Sequence, residues 1–498
     1  MKEQAIKLAN TLGELKTSGY KSLKVKDEIR KNLIEKLKKG TPVFDGVMGY
    51  ENTVFPQVER ALLSRHNINF LGLRGQAKTR MARQLVNLLD AYIPVVAGSP
   101  INDDPLAPIS RYAIDLIAEK GDKTPIDWLH RDERYTEKLA TPDVTVADLI
   151  GDADPIKAAN LKLDYSDEKV IHFGLIPRAH RGIFVINEIP DLQPRIQVAL
   201  FNILQEGDIQ IRGFKLRLPL DVMFVFTANP EDYTNRGSII TPLKDRIQSQ
   251  ILTHYPKNTQ ISGAITRQEA KLAPGQSDVA DIPVLIAELI EQIAVEARHS
   301  EYIDQKSGVS ARLTISAYEN LISTVERRVL INKETKGRAR IGDLLGILPA
   351  ITGKVELVYE GEQEGAKGVA QGLLGKAIRN RFAQYFPDPE LSKKRKNEPN
   401  PYQEVIAWFG KNDLELLADL DEKTYRLAID EVPGLKKLVL KYNPKISHDE
   451  TYMMMEFVLH GLSEYSMLGK NFLEDGLSFS DLFNSVFSMD DFESRDNE

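Results

Sequence analysis

The chain has 498 residues, of which 42% are hydrophobic and 28% charged, with a formal net charge of -7 and no cysteine. That length suits two to four domains, and the missing cysteine excludes disulfides, thiolate zinc sites and thiol switches. The acidic balance argues against a protein that coats nucleic acid by bulk charge, although a local basic groove stays open.

The first forty residues alternate lysines with apolar residues and contain no continuous apolar run. They read as one or two charged helices, neither a signal peptide nor a membrane span. No later stretch is apolar enough to cross a bilayer, and the absence of cysteine makes the reducing cytoplasm the natural, though not the only, compartment. The eight histidines are scattered without ligand spacing, so none is assigned to a metal.

From about Thr41 to Pro256, short apolar runs alternate with helical periodicity, which predicts an α/β domain. "INFLGLRGQAKT" is a strand entering a glycine-containing loop, and Met81, Leu85, Leu88 and Leu89 then share one helical face. "DLQPRIQVALFNILQEGD" predicts another helix, with Ile196, Ala199, Leu200, Ile203 and Leu204 apolar and Gly207 as its stop. "IQIRGFKLRL" alternates about a Gly-Phe turn, which predicts a hairpin with Ile209 and Ile211 facing Leu216 and Leu218. "VMFVFTANP" is an apolar strand closed by Pro230; strands apolar on both faces suit a parallel sheet covered by helices.

After Asp281 the pattern is helical to about Tyr385, and "LSKKRKNEPNP" (Leu391 to Pro401) reads as a linker. Its basic run could touch a phosphate backbone, but a solvated face is the simpler reading. "TYMMMEFVLHGL" reads as buried packing, with a methionine-rich partner groove as the sharper alternative. The tail from Gly476 spaces phenylalanines among acids, as a partner-docking arm or a frayed end would.

The chemistry lies in the α/β part. In "GLRGQAKT", Gly72 and Gly75 permit a tight turn that brings backbone amides toward phosphates. Lys78 supplies a positive point charge, and the Thr79 hydroxyl is a Mg²⁺ ligand. Ala77 stands where the phosphate-loop pattern has glycine. "RGIFVINEIPDL" ends an apolar strand in Asn187 and Glu188. In such sites the first position, usually aspartate, holds the Mg²⁺ water shell, and the second polarises the attacking water. Glu188 suits the second role; Asn187 can accept hydrogen bonds from metal-bound water but brings no charge. Asn229 ends the next strand, where an amide can orient water near a γ-phosphate. Arg236, Arg246 and Arg312 follow it in order, as candidates to stabilise phosphate charge from a neighbouring or the same subunit.

On these motifs the chain resembles the AAA+ superfamily, and within it the magnesium-chelatase ATPase subunit and its MoxR relatives. The Ala-Lys-Thr ending of the phosphate loop is similar to the MoxR form. "VMGYENT", with Val47 and Gly49, is similar to the segment against which adenine packs, and "FGLIPRAHRGIFVINEIPDL" to a run of the chelatase subunit. "TPDVTVADLIGDADP" resembles the start of the helix-2 insert, and "DIQIRGFKLRLPL" the pre-sensor hairpin.

The resemblance implies an α/β fold: an AAA+ αβα core over 41–260 with a parallel sheet, helix-2 insert and pre-sensor-1 hairpin, after an N-terminal helical segment (1–40). An α-helical lid (270–390) and a C-terminal helical region with an acidic tail (400–498) would follow. It implies ATP and Mg²⁺ as cofactors. Gly72, Gly75, Gln76, Ala77, Lys78 and Thr79 would form Walker A, Asn187 and Glu188 Walker B, Asn229 sensor 1, Arg246 the arginine finger and Arg312 sensor 2. Thr79 and Asn187 would be the metal-side residues. A homo-oligomeric ring, usually a hexamer, and a partner with a von Willebrand factor A domain are also implied, with no membrane.

Three functions are compatible with these residues. The first is a Mg²⁺-dependent ATPase motor that remodels or activates a metal-binding partner protein. The second is a scaffold assembled by ATP with little turnover, which Asn187 favours. The third is a DNA-acting motor using Arg212, Lys215 and Arg217 as a phosphate track; the acidic charge weighs against it. Asn187 is expected to slow hydrolysis or raise the Mg²⁺ requirement without abolishing turnover.

Overall fold

The computed structural model describes residues 9–163, 167–211, 217–230, 238–394 and 400–482. The chain divides after His254 into two compact units.

The first unit is built on five parallel strands: β1 (Ile68–Leu71), β2 (Tyr135–Leu139), β3 (Gly182–Asn187), β4 (Val222–Ala228) and β5 (Ser249–Leu252). Their order across the sheet is β5-β1-β4-β3-β2. Every residue of β3 and β4 is buried, and the period of two sends alternate side chains to opposite faces. Phe184, Ile186, Phe224 and Phe226 enter one core; Ile183, Val185, Met223 and Val225 enter the other, with Ile68, Phe70 and Ile251. Burial on both faces explains the unbroken apolar runs. By contrast, β2 (YTEKL) is half-exposed and, among the described residues, paired only with β3, as a charged edge strand should be.

The N-terminal residues do not stand apart from this sheet. Helix Val25–Lys39 carries Asp27 and Glu28 in its first turn and lysines in its last, in the sense its dipole favours. It ends at Gly40, whose φ of 64° lets the amides of Gly40 and Thr41 reach the carbonyls of Leu37 and Lys36. Its buried Val25, Ile29 and Leu33 join the β1 side of the core. Glu28 receives Arg134 through two bonds of 2.7 and 2.6 Å, both side chains being buried.

Two predicted helices are shorter than their periodicity. Lys78–Gln84 is α-helical, but Leu85–Leu88 tightens to a 3₁₀ turn. The second breaks at Leu200 into Pro194–Ala199 and Phe201–Glu206, and Gly207, at φ 72°, stops it. In both cases the predicted apolar positions stay in the core, all buried but the partly buried Ala199, which the pattern requires whatever the exact helix type. The hairpin pairs Asp208–Gln210 with Arg217–Pro219, placing Ile209 opposite Leu218; its tip, with Arg212, Lys215 and Leu216, lies outside the described residues.

The second unit has one core that runs from Ala280 to Phe479. Helix Pro389–Lys394 enters the predicted linker, and beyond it Tyr402 is fully buried with its ring 6.2 Å from that of Phe382. The linker therefore does not separate two cores. Helix His448–Glu464 is buried continuously from Thr451 to Leu462, so its methionines are packing residues inside the unit. A Cβ on Gly461 would collide with the Phe382 ring, which is why glycine stands at that crossing. The tail reading is corrected in part: Gly476–Ser480 is the central strand of an antiparallel sheet with Leu414–Leu417 and Gly469–Leu473, and Leu477 and Phe479 are buried. Residues 483–498 lie outside the described residues.

Candidate active site

The loop leaving β1 begins at Gly72, whose amide bonds to the Ala228 carbonyl at the end of β4. A side chain there would strike those of Thr253 and Gln76, so the loop can lie this close to β4 and β5 only with glycine. Gly75 has φ 75° and Ala77 φ 56°. The left-handed Ala77 explains why glycine is usual at this position: an L side chain there costs roughly 1–2 kcal/mol. The loop is braced from outside, because the Thr253 hydroxyl donates to Gln76 Oε1 at 2.6 Å. The Tyr50 hydroxyl lies 3.0 Å from the Gln76 carbonyl and 2.8 Å from that of His254. Val47 is buried and Gly49 adopts φ 86° in the segment that carries Tyr50.

Lys78 opens the following helix and is only 7% exposed. Its ammonium donates to the carbonyls of Gly72 and Leu73 and to Asn229 Oδ1, the last at 2.5 Å. The Asn229 amide nitrogen donates in turn to Glu188 Oε2 at 2.8 Å. An ammonium can only donate and a carboxylate can only accept, so these neighbours fix which way the amide points. Glu188 sits just past β3 in a left-handed conformation, φ 54°, with its backbone amide on the Thr227 hydroxyl at 3.2 Å. That turn aims the carboxylate along the strand ends toward Asn229. It costs about 1–3 kcal/mol, a strain characteristic of working sites.

Asn187 belongs to the same network. Its Oδ1 lies 3.5 Å from the Thr79 hydroxyl and accepts from Thr227 Oγ1 at 3.0 Å. Its Nδ2 donates at 2.5 Å to Glu137, a residue of β2 that the sequence reading did not single out. Glu137 also receives Arg83 at 2.8 and 3.1 Å and the Tyr135 hydroxyl at 3.1 Å. Burial pushes its carboxyl up, but the hydrogen bonds from Arg83 and Tyr135 and the Arg83 charge outweigh this and hold it below the ordinary range. Its only sequence signal was the alternation in "YTEKL", which marks a strand but not its neighbour.

Lys78, Thr79, Asn187, Glu188 and Asn229 thus share one network at the ends of β1, β3 and β4. The arginines are placed differently. Arg246 ends helix Thr241–Arg246 and binds Gln205 at 2.8 and 3.1 Å, with its guanidinium 4.8 Å from the centre of the Phe201 ring. Arg312 is an exposed residue at the start of helix Arg312–Ile331 in the second unit. Arg236 lies outside the described residues.

Residues 164–252 match the family model of the Sigma-54 interaction domain, and they include β3, β4 and β5 of the parallel sheet. The five-stranded parallel sheet with its helices is consistent with the AAA+ αβα core that the motifs predict. A largely helical second unit follows it. Over 203 residues the chain is 25% identical to the magnesium-chelatase 38 kDa subunit of Cereibacter sphaeroides. That stretch is 40% of this chain and 54% of the relative, so the chain spans about half of the curated protein it matches. Among solved structures, NtrX from Brucella abortus in complex with ATP is similar at TM-score 0.38 and 14% identity, covering 71% of this chain and 66% of that one. A complex of the magnesium-chelatase subunits BchI and BchD is similar at TM-score 0.30 and 18% identity, covering 60% and 90% respectively. No helix among the described residues is long and apolar enough to cross a membrane.

Proposed function

We propose that this chain is a Mg²⁺-dependent ATPase motor that works as a ring and uses ATP to remodel or activate a metal-binding partner protein. The observation that carries the reading is the single network joining Lys78, Thr79, Asn187, Glu188 and Asn229, through Thr227, at the ends of β1, β3 and β4. A glycine-cradled loop with a buried lysine suits a triphosphate, with Val47 and Gly49 in the segment beside it. The donor set of Thr79, Asn187 and the nearby carboxylates is all oxygen, which fits a hard cation such as Mg²⁺. Thr79 and Asn187 would hold the ion, and its charge would neutralise the phosphates.

In this reading Glu188 orients the attacking water and takes its proton, and Asn229 holds that carboxylate in place. Arg246, at the end of its helix, would reach the site of an adjacent subunit, and Arg312 would report on nucleotide from the second unit. The named activity of the chelatase relative supports a metal-handling partner, for which a von Willebrand factor A domain is the candidate. A hexamer is the assembly suggested by the resemblance.

ATP turnover and sedimentation of the purified chain, with and without nucleotide, test this. Glu188→Gln is expected to lower turnover at least about 100-fold while ATP still binds, and Lys78→Ala to abolish binding. Bound ATP and intact rings without Mg²⁺-dependent turnover in the parent would replace the motor with an ATP-assembled scaffold.

A further inference from the structure

Asn187 is the one position where the site departs from the usual pair of acids, and the fold places a carboxylate directly behind it. Glu137 lies on β2, which pairs with β3 so that Leu139 stands opposite Asn187 and Glu137 opposite Val185. From there its Oε1 reaches Asn187 Nδ2 at 2.5 Å. Because a carboxylate only accepts, the amide nitrogen must face Glu137 and the amide oxygen must face Thr79. Asn187 therefore presents to the Thr79 side an acceptor oxygen, as an aspartate would. The negative charge sits one hydrogen bond further back.

We propose that Glu137 supplies the negative charge that Asn187 lacks, so that Asn187 and Glu137 together do what one aspartate does at a Mg²⁺-nucleotide site. Glu137 does not touch the ion; it is a positioning residue that acts through the Asn187 amide. Carboxylates behind metal ligands orient them and raise their basicity, and their loss commonly weakens metal affinity about 10- to 100-fold. Arg83 grips both carboxylate oxygens of Glu137, Oε2 at 2.8 Å and the Asn187-facing Oε1 at 3.1 Å, but that arginine is 63% exposed, so solvent screens its charge more than the bond to the buried Asn187. This inference rests on the nucleotide-site reading above.

The test is binding, not turnover. A fluorescent, non-hydrolysable ATP analogue is titrated onto the full chain with and without buffered Mg²⁺, and the Mg²⁺ midpoint is read for each variant. Glu137→Gln is expected to raise that midpoint about tenfold with the Mg²⁺-free affinity unchanged. Arg83→Gln breaks the same ion pair but keeps the carboxylate, and is expected to leave the midpoint unchanged or lower. The double variant Glu137→Gln with Asn187→Asp moves the charge by one residue and keeps a donor–acceptor pair; its midpoint should return to within about threefold of the parent. A Glu137→Gln midpoint within twofold of the parent overturns the proposal, as does an Arg83→Gln increase as large as that of Glu137→Gln, or failure of the double variant to recover. Absence of analogue binding by the parent, with or without Mg²⁺, would overturn the nucleotide-site reading itself and this proposal with it.

Discussion

At the scale of single residues, the site is organised by groups that can only donate or only accept. Lys78 and Glu188 orient Asn229; Glu137 orients Asn187. Four of these five residues were picked out in the sequence, because a phosphate loop and a strand ending in polar residues are local patterns. The fifth, Glu137, was not, because its partner is 50 positions away. A second buried polar group gives a test at this scale. His180 accepts from the Asp221 amide through Nδ1 at 3.0 Å. Burial, helped by the Arg181 charge, lowers its pKa from 6.5 to about 4. Between those values the unfolded chain binds a proton that the folded chain does not, so stability falls as pH drops from about 6.5 toward 4. The loss should approach about 3 kcal/mol, visible as a lower urea midpoint at pH 5 than at pH 7. His180→Gln should flatten that difference; an unchanged pH slope in the variant would contradict the assignment.

At the scale of elements, the sheet was legible through its apolar runs and the edge strand was not. β3 and β4 feed two cores with alternate residues, so their sequences are apolar throughout. β2 is charged and half-exposed, and its place beside β3 is fixed by pairing, not by composition. The same holds for helix Val25–Lys39, which the sequence shows as charged and amphipathic but which docks through Glu28 and Arg134, 106 positions apart. The pair is fully buried, and Glu28 Oε1 also accepts from the Asp90 amide at 2.6 Å. Removing one charge leaves the other without compensation, at a cost of about 3–5 kcal/mol. Glu28→Gln should therefore lower the thermal midpoint of the first unit markedly in scanning calorimetry. A shift of less than a degree or two would show that the pair contributes little.

At the scale of the whole molecule, none of the hydrophobic cores crosses His254 among the described residues. The second unit binds together segments on both sides of a charged, proline-bearing stretch, through Tyr402, Phe382 and Phe457. Helix His448–Glu464 is its central element, buried on all sides. Residues 255–498 produced alone should therefore unfold in one cooperative transition, followed by circular dichroism in urea. Two separated transitions within that fragment would contradict a single core.

The sequence by itself determined what depends on neighbours along the chain: the phosphate loop, the Asn187–Glu188 strand end, the buried strands and the stop at Gly207. Each is written in a few adjacent residues whose chemistry or periodicity has one physical reading. Only the tertiary structure decided that Glu137 stands behind Asn187, that Arg134 meets Glu28, and that the methionine helix packs against chain from before the linker. Those contacts follow from strand pairing and packing between residues far apart, and no local pattern carries that register.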